Sequence, residues 1–359
     1  MPTPAFVMVC CQCGAEAAVK AELATQGWRL AFSRPGFVTV KRDEGSDAQR
    51  AAKSTQELPA GIFCRTVGWS LGKTRGEESG PLLQELEAIL DAAAPEETFD
   101  QLHVWPRDRR PVGSMQFEPG PDPLSDAVAE TLWQPLSAGG KITAPAANLT
   151  AQPGQRVLDV VLVEPNEWWI GWHSVQATPS RWPGSVLPLP SAEPPVSRAY
   201  YKLAEALAWS QWDLHPDDMA IEIGSSPGGA CQRLLELGLQ VIGIDPADMD
   251  ERILEHPRFT HIRARASDLK RSVYQPARWL VSDASTRPET MLTAIEKIVT
   301  HSSSRVEGML LTCKLRSYER ATEIPAWIER VQSFGFPDVQ ARQLAANRCE
   351  ITLAAHRPR

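Results

Sequence analysis

Neither half of this 359-residue chain carries a surplus of positive charge. Residues 1 to 196 hold 16 Lys and Arg against 23 Asp and Glu, a balance of −7, and residues 197 to 359 hold 21 of each, a balance of zero. Indiscriminate nucleic-acid binding needs clustered cations to neutralise phosphates, so a general polyanion binder is excluded and any such role has to rest on a defined site. Two local clusters, Arg107, Arg109, Arg110 and Arg263, Arg265, Lys270, Arg271, read as solvated loop charge, with phosphate contact as the alternative.

Long apolar runs are missing as well. The run over residues 5 to 11 is far too short to cross a bilayer and follows no basic segment, so neither a membrane span nor a secretory leader is expected and a cytoplasmic location is. Seven cysteines, an odd number, do not make a disulfide framework and fit a reducing compartment. Cys10, Cys11 and Cys13 crowd like metal ligands, but no second Cys or His pair stands at a finger-like distance, so no metal is expected. Tyrosine is scarce, four against twelve tryptophans, and composition offers no physical reason for the imbalance. The length allows two or three domains with full cores.

What is present concentrates at 221 to 245, I-E-I-G-S-S-P-G-G-A-C-Q-R-L-L-E-L-G-L-Q-V-I-G-I-D. An apolar strand at 219 to 223 meets a turn with Gly224, Ser226, Pro227, Gly228 and Gly229, then a helix, then a strand at 240 to 244 that ends on Asp245. Glycines let a backbone approach a ligand that a Cβ would block, and an acid at this spacing can accept both ribose hydroxyls. Ser226 replaces the second glycine of a dinucleotide fingerprint, so close pyrophosphate approach is lost. Glu222 before the turn suits S-adenosylmethionine, whose sulfonium and amino group are cationic. The bland alternative is an ordinary strand-to-helix turn without a ligand.

Around this turn stand S-R-A-Y-Y-K-L with Ser197 and Lys202, W-L-V-S-D with Asp283 closing a strand, M-L-L-T-C-K with Lys314 closing another, and N-R-C-E-I-T-L with Glu350 opening a last strand. In an open α/β sheet the ligand crevice lies outside the carboxyl ends of the strands, so Gly224, Asp245, Asp283 and Lys314 should converge. Taken singly, Lys202 and Glu350 could be solvated charges, and Asp283 could cap a helix.

The set Lys-Asp-Lys-Glu, with S-R-A-Y-Y-K-L and G-S-S-P-G-G, resembles the FtsJ-like 2′-O-ribose RNA methyltransferases over residues 197 to 359. Within that family it is most similar to members that methylate a cytidine of 23S ribosomal RNA. The resemblance implies a Rossmann-like α/β domain, S-adenosylmethionine held by Ser197, Gly224, Ser226 to Gly229, Asp245, Asp268 and Asp283, and a catalytic set Lys202, Asp283, Lys314 and Glu350. Asp268 would meet the adenine amino group; a helix N-cap is its alternative. Lys314 would take the 2′-hydroxyl proton, its pKa drawn toward neutral by burial beside Lys202. Asp283 would orient it near the sulfonium, Lys202 would steer the ribose-phosphate, and Glu350 would fix one lysine. The implied partner is 23S rRNA before subunit assembly is complete, for a monomer without metal or membrane. Three rivals stay open: the same chemistry on another RNA, a silent RNA-binding protein of the same fold, and a methyltransferase for small molecules or proteins.

Before residue 177 the order is α+β: strands at 5 to 11, 29 to 32, 37 to 41, 62 to 72, 102 to 105, 156 to 163 and 167 to 174, with helices at 15 to 26, 81 to 93 and 124 to 136. The opening fits a ferredoxin-like unit, and the whole resembles a THUMP-type RNA-binding region in pattern and position only. It divides into subdomains at about 1–55 and 56–176. Residues 177 to 196 hold six prolines and read as a semi-rigid linker before the domain at 197 to 359.

Overall fold

The computed structural model describes residues 4–42, 57–77, 79–189 and 194–357. The chain forms two compact units, Met1–Pro188 and Leu189–Arg359.

The first unit runs β1 (Phe6–Cys10), α1 (Glu16–Thr25), β2 (Trp28–Arg34), β3 (Phe37–Arg42), β4 (Thr66–Arg75), α2 (Ser79–Ala93), β5 (Gln101–Pro106), α3 (Pro123–Ala138), β6 (Arg156–Glu164) and β7 (Glu167–Ser174). The strands make one sheet in the order β2-β3-β1-β4-β7-β6-β5, antiparallel except between β5 and β6. Because β1 pairs directly with β4, the two expected subdomains share one continuous sheet. Leu86 and Leu90 of α2 and Leu132 and Leu136 of α3 pack on Leu102, Val104, Leu158 and Leu162, burying one face of β5 and β6. On the other face Met8, Phe37, Trp105 and Val161 cluster, with Phe32 and Trp169 partly buried against them.

Two readings of this region need correction. The strand placed at 62 to 72 lies at Thr66–Arg75. Ile62 and Phe63 are apolar because they anchor a loop whose N–H groups both donate to the Glu22 carboxylate, each at 3.2 Å. The proline-rich stretch is not a free linker from its start, since Pro179, Trp182, Pro183 and Ser185 are buried and Gly184 packs on the Trp105 ring. One buried ion pair also belongs here. Arg65, 3% exposed, donates twice to Asp108, 0% exposed, at 2.7 and 2.5 Å.

The second unit runs α4 (Ala199–Ser210), β8 (Met219–Ile223), α5 (Gly229–Glu236), β9 (Gln240–Ile244), α6 (Glu251–Leu254), β10 (Phe259–Ile262), β11 (Trp279–Ser282), α7 (Pro288–Val299), β12 (Gly308–Lys314), α8 (Ile324–Ser333), β13 (Asp338–Arg342) and β14 (Glu350–His356). Its sheet has the order β10-β9-β8-β11-β12-β14-β13, with β8 to β12 parallel and β14 inserted antiparallel between β12 and β13. β8, β11 and β12 are buried over nearly their whole length, as parallel strands covered on both faces must be. Strand order reverses between β8 and β11, which places the ligand crevice of this Rossmann-like sheet at their carboxyl ends.

Candidate active site

Lys314 ends β12 and Glu350 opens β14, and the antiparallel register sets the two residues directly opposite each other. Asp283 follows β11, the other neighbour of β12, and Lys202 projects from the first turn of α4. Lys314 Nζ donates to Asp283 Oδ1 and to Glu350 Oε2, the second at 2.6 Å. Lys202 Nζ donates to Asp283 Oδ2 at 3.1 Å and lies 2.5 Å from Glu350 Oε1. Each lysine therefore bridges both carboxylates, and the four close into a ring of alternating charge. Side-chain exposure of 12%, 14%, 19% and 5% for Lys202, Asp283, Lys314 and Glu350 leaves the ring reachable yet largely dry. The reading of these four as unrelated surface charges is excluded, and Asp283 caps no helix, since α7 begins after Arg287.

The electrostatics differ from expectation at Lys314. Burial disfavours its ammonium form, but the Asp283 and Glu350 carboxylates outweigh burial and hold its pKa above the ordinary 10.5. Burial alone would raise Glu350, yet the two lysines hold it below the ordinary 4.5. In the resting protein Lys314 is thus a firmly protonated cation.

One residue that sequence reasoning missed ties the ring together. Glu205, one turn after Lys202 on α4 and 4% exposed, accepts the backbone N–H groups of Ala345 and Ala346, each at 2.8 Å. It thereby fixes α4 against the loop that enters β14. Gln343, 2% exposed, donates to the Arg348 carbonyl at 3.0 Å, and the Arg348 N–H donates to Glu350 Oε1 at 3.2 Å. The only sequence signal for Glu205 was a carboxylate on the otherwise apolar face of the S-R-A-Y-Y-K-L-A-E-A helix.

At the crevice, Asp245 follows β9 and accepts the N–H groups of Ser226 at 3.2 Å and Ala247 at 2.8 Å, one on each oxygen. Each oxygen keeps a lone pair for a ribose hydroxyl. Meanwhile the Gly224 N–H is used by the Ile244 carbonyl at 2.9 Å, so two of the turn's amides are unavailable to a pyrophosphate. Such a donor set suits a phosphate-free nucleoside with a cationic tail. Asp268 is exposed in a short 3-10 turn after β10 and caps no helix.

The glycines also meet a demand of packing. A Cβ on Gly224, whose φ is +82°, would stand 2.6 Å from the Ala284 Cα, and one on Gly229 would stand 2.3 Å from the Ser197 hydroxyl oxygen. A Cβ on Gly228 would meet the Ile253 side chain at 2.8 Å. The close approach of strand ends and helices by itself requires glycine at these positions. Glu222 is also not a counter-charge in the crevice. It is 1% exposed, accepts the Cys231 thiol at 2.8 Å, and burial pushes its pKa up to about 8, so it is neutral at pH 7.

Among the remaining candidates, Arg107 is not solvated loop charge: 7% exposed, it donates to the Val163 and Pro35 carbonyls and to Glu164. Arg263 pairs with Asp248 at the surface. Cys10 and Cys11 are buried free thiols, Cys13 is half-buried, and no group of His, Cys, Asp or Glu among the described residues is arranged to hold a metal. No helix among them is long and apolar enough to cross a membrane.

Comparison with known proteins agrees with the resemblance drawn from the motifs. The FtsJ-like methyltransferase family model matches residues 195–317, a stretch that includes the turn, Lys202, Asp283 and Lys314 but not Glu350. This makes S-adenosylmethionine the cofactor of the second unit. Ribosomal RNA large subunit methyltransferase M of Pseudomonas fluorescens (strain Pf0-1) is 27% identical over 183 residues, 48% of this chain and 50% of that one. In that alignment the chain spans about half the length of its relative. The protein of the same name from Tolumonas auensis is 25% identical over 373 residues, covering 97% of this chain and 94% of its own. Among solved structures, the Methanococcus jannaschii fibrillarin pre-rRNA processing protein aligns with 56% of this chain and 89% of its own at 13% identity and a TM-score of 0.35. Likeness at that level carries no further argument.

Proposed function

We propose that the protein transfers a methyl group from S-adenosylmethionine to a ribose 2′-hydroxyl of large-subunit ribosomal RNA, with a cytidine as the target. The observation that carries this reading is the closed ring of Lys202, Asp283, Lys314 and Glu350 beside the Asp245 crevice. Two lysines at one reaction centre suit a substrate that is both a poor acid and an anion. The relatives named above support ribosomal RNA as that substrate.

The cofactor supplies an electrophilic methyl group on a sulfonium. Ser197, Gly224, Ser226 to Gly229, Asp245 and Asp268 form its crevice, and Asp283 places a negative charge beside the cationic donor. Lys202 directs the ribose-phosphate, and Glu350 holds both lysines in place. Lys314 receives the hydroxyl proton only after losing its own to solvent. Drawing Asp283 or Glu350 away from it removes what holds that proton and leaves burial, which favours the neutral amine. The upward pKa of Lys314 favours a second reading of this residue alone, as a fixed cation that positions the hydroxyl oxygen.

Residues 1 to 176 supply RNA grip as a THUMP-like region, acting on 23S rRNA before the subunit is complete in the cytoplasm, as a monomer. Near-full-length alignment with the Tolumonas relative supports a shared role for this part. Mapping of 2′-O-methyl positions in large-subunit rRNA, with and without the gene, is the test. Loss of one cytidine modification is expected. Loss at another RNA would correct the target, and an unchanged map in all RNA would leave a silent RNA-binding protein.

A further inference from the structure

The catalytic ring sums to zero charge, so it offers no net attraction to a phosphodiester chain. The loops that present the ring do. Arg287 lies four residues after Asp283, Arg316 two after Lys314, and Arg348 two before Glu350, and all three are exposed. The last two lie on paired segments, since the N–H groups of Leu315 and Arg316 both donate to the Cys349 carbonyl, at 3.0 and 3.3 Å. Arg316 holds a left-handed backbone, φ +63°, rarely adopted outside glycine.

None of these three guanidinium groups has a hydrogen-bond or ion-pair partner among the described residues. Several other arginines of the unit are matched with acids. Arg278 holds Asp218 and Glu307, Arg320 holds Glu289 and Glu323, and Arg330 holds Glu296. Leaving a guanidinium unmatched on each of three loops around an electroneutral centre is a pattern of placement. A planar fork of donors fits phosphate oxygens.

We propose that Arg287, Arg316 and Arg348 form a cationic collar that grips the phosphates of a single RNA strand on either side of the ribose delivered to the ring. The proposal deepens the ribose-methylation reading and rests on it for the identity of the strand. Charge complementarity selects this occupant, because the collar presents three guanidinium groups, each a fork of donors, and a phosphodiester chain presents acceptors alone at its phosphates.

The experiment measures binding of a large-subunit rRNA transcript to the full chain as salt is varied, for the parent and for Arg287→Ala, Arg316→Ala, Arg348→Ala and the triple variant. Each single change should flatten the log-log salt slope by roughly 0.7 to 0.9, the contribution of one phosphate contact, and the triple by about two or more. In methylation assays KM for the transcript should rise several-fold while kcat at saturating RNA and cofactor affinity hold. Arg305→Ala, exposed before the opposite end of β12, should leave the slope unchanged. Unchanged slopes and KM in the triple variant overturn the collar, as does an equal loss with Arg305→Ala. If the slopes fall but the parent methylates no RNA, the collar stands and the ribose reading fails.

Discussion

Arg65 with Asp108 in the first unit, and Lys202, Asp283, Lys314 and Glu350 in the second, are both opposite charges taken out of water, and they are built to different ends. The first pair is sealed, at 3% and 0% exposure, and its cation cannot give up a proton in any usable pH range. The second sits at the end of a parallel sheet, is up to 19% exposed, and uses lysines, whose charge can change. In the first case two hydrogen bonds join one guanidinium to one carboxylate. In the second every group is shared between two partners, so displacing one contact alters the proton affinity of the rest. Buried charge alone therefore identifies no site; exchangeable protons, shared partners and placement at strand ends do.

The sharpest way to break this contrast is at Lys314. Lys314→Ala should lower single-turnover methylation of rRNA by roughly a hundred- to ten-thousand-fold, the usual worth of a positioned base. Lys314→Arg should fail nearly as badly if the residue must lose a proton, whereas near-parental turnover would make it a fixed cation. Since two carboxylates hold its pKa above 10.5, the parental rate should climb with pH throughout the neutral and mildly alkaline range without reaching a plateau. A plateau near neutrality would show that substrate binding strips those carboxylates away.

The sealed pair should respond in stability and not in chemistry. Asp108→Ala takes from the buried Arg65 guanidinium the carboxylate that accepts two of its hydrogen bonds, at a cost of about 3 to 5 kcal/mol by chemical denaturation of the first unit. Cofactor binding by calorimetry should be unchanged. Replacing both partners with apolar residues of similar volume should recover most of the loss, and failure to do so would mean that the pair has some role beyond mutual neutralisation.

Between these two cases lies Glu222, buried like Asp108 but paired only with a thiol. Its folded pKa of about 8 stands above the ordinary 4.5, raised first by burial and then by Asp283 and Asp245. The native state thus keeps a proton that the unfolded chain has lost, and stability should fall as pH rises from about 4.5 to about 8, then level off. Glu222→Gln should remove that slope and stabilise the protein at neutral pH by up to a few kcal/mol. A slope that survives the substitution would place the titration elsewhere. The smallest effect is expected at Asp245, where Asp245→Ala should weaken cofactor binding by about 1 to 3 kcal/mol through lost hydroxyl contacts. Undiminished affinity in calorimetry would remove Asp245 from the crevice.

Much of this was legible in residues because the motifs mark strand ends. β8, β9 and β7 lie where their apolar patterns put them, and a lysine or acid closing a buried strand has few places to go. What could not be read was who faces whom. The proton affinity of Lys314 was misjudged because its neighbour Lys202 is visible in the motif, whereas the 2.6 Å approach of Glu350 depends on strand register. Glu205 escaped notice for the same reason, its partners lying 140 residues away. Ile62 and Phe63 imitate a strand because burial, which pattern reading detects, is not the same as pairing. Prolines at 179 and 183 suggested a linker although they pack, since ring rigidity serves a buried strap as well as a spacer.

The insertion of β14 between β12 and β13 has a bearing on time as well as space. Its residues come after every other strand of the unit, yet Glu350 supplies one side of the ring, and Ala345 and Ala346 supply the anchor for α4. A nascent chain that has emerged only as far as β12 can lay down the cofactor crevice, with both lysines facing a single carboxylate. Closing the ring waits on a contact between residues far apart in the chain, a slow kind of step. The ring on which the proposed chemistry rests is in this way complete only once the last strand of the unit has paired.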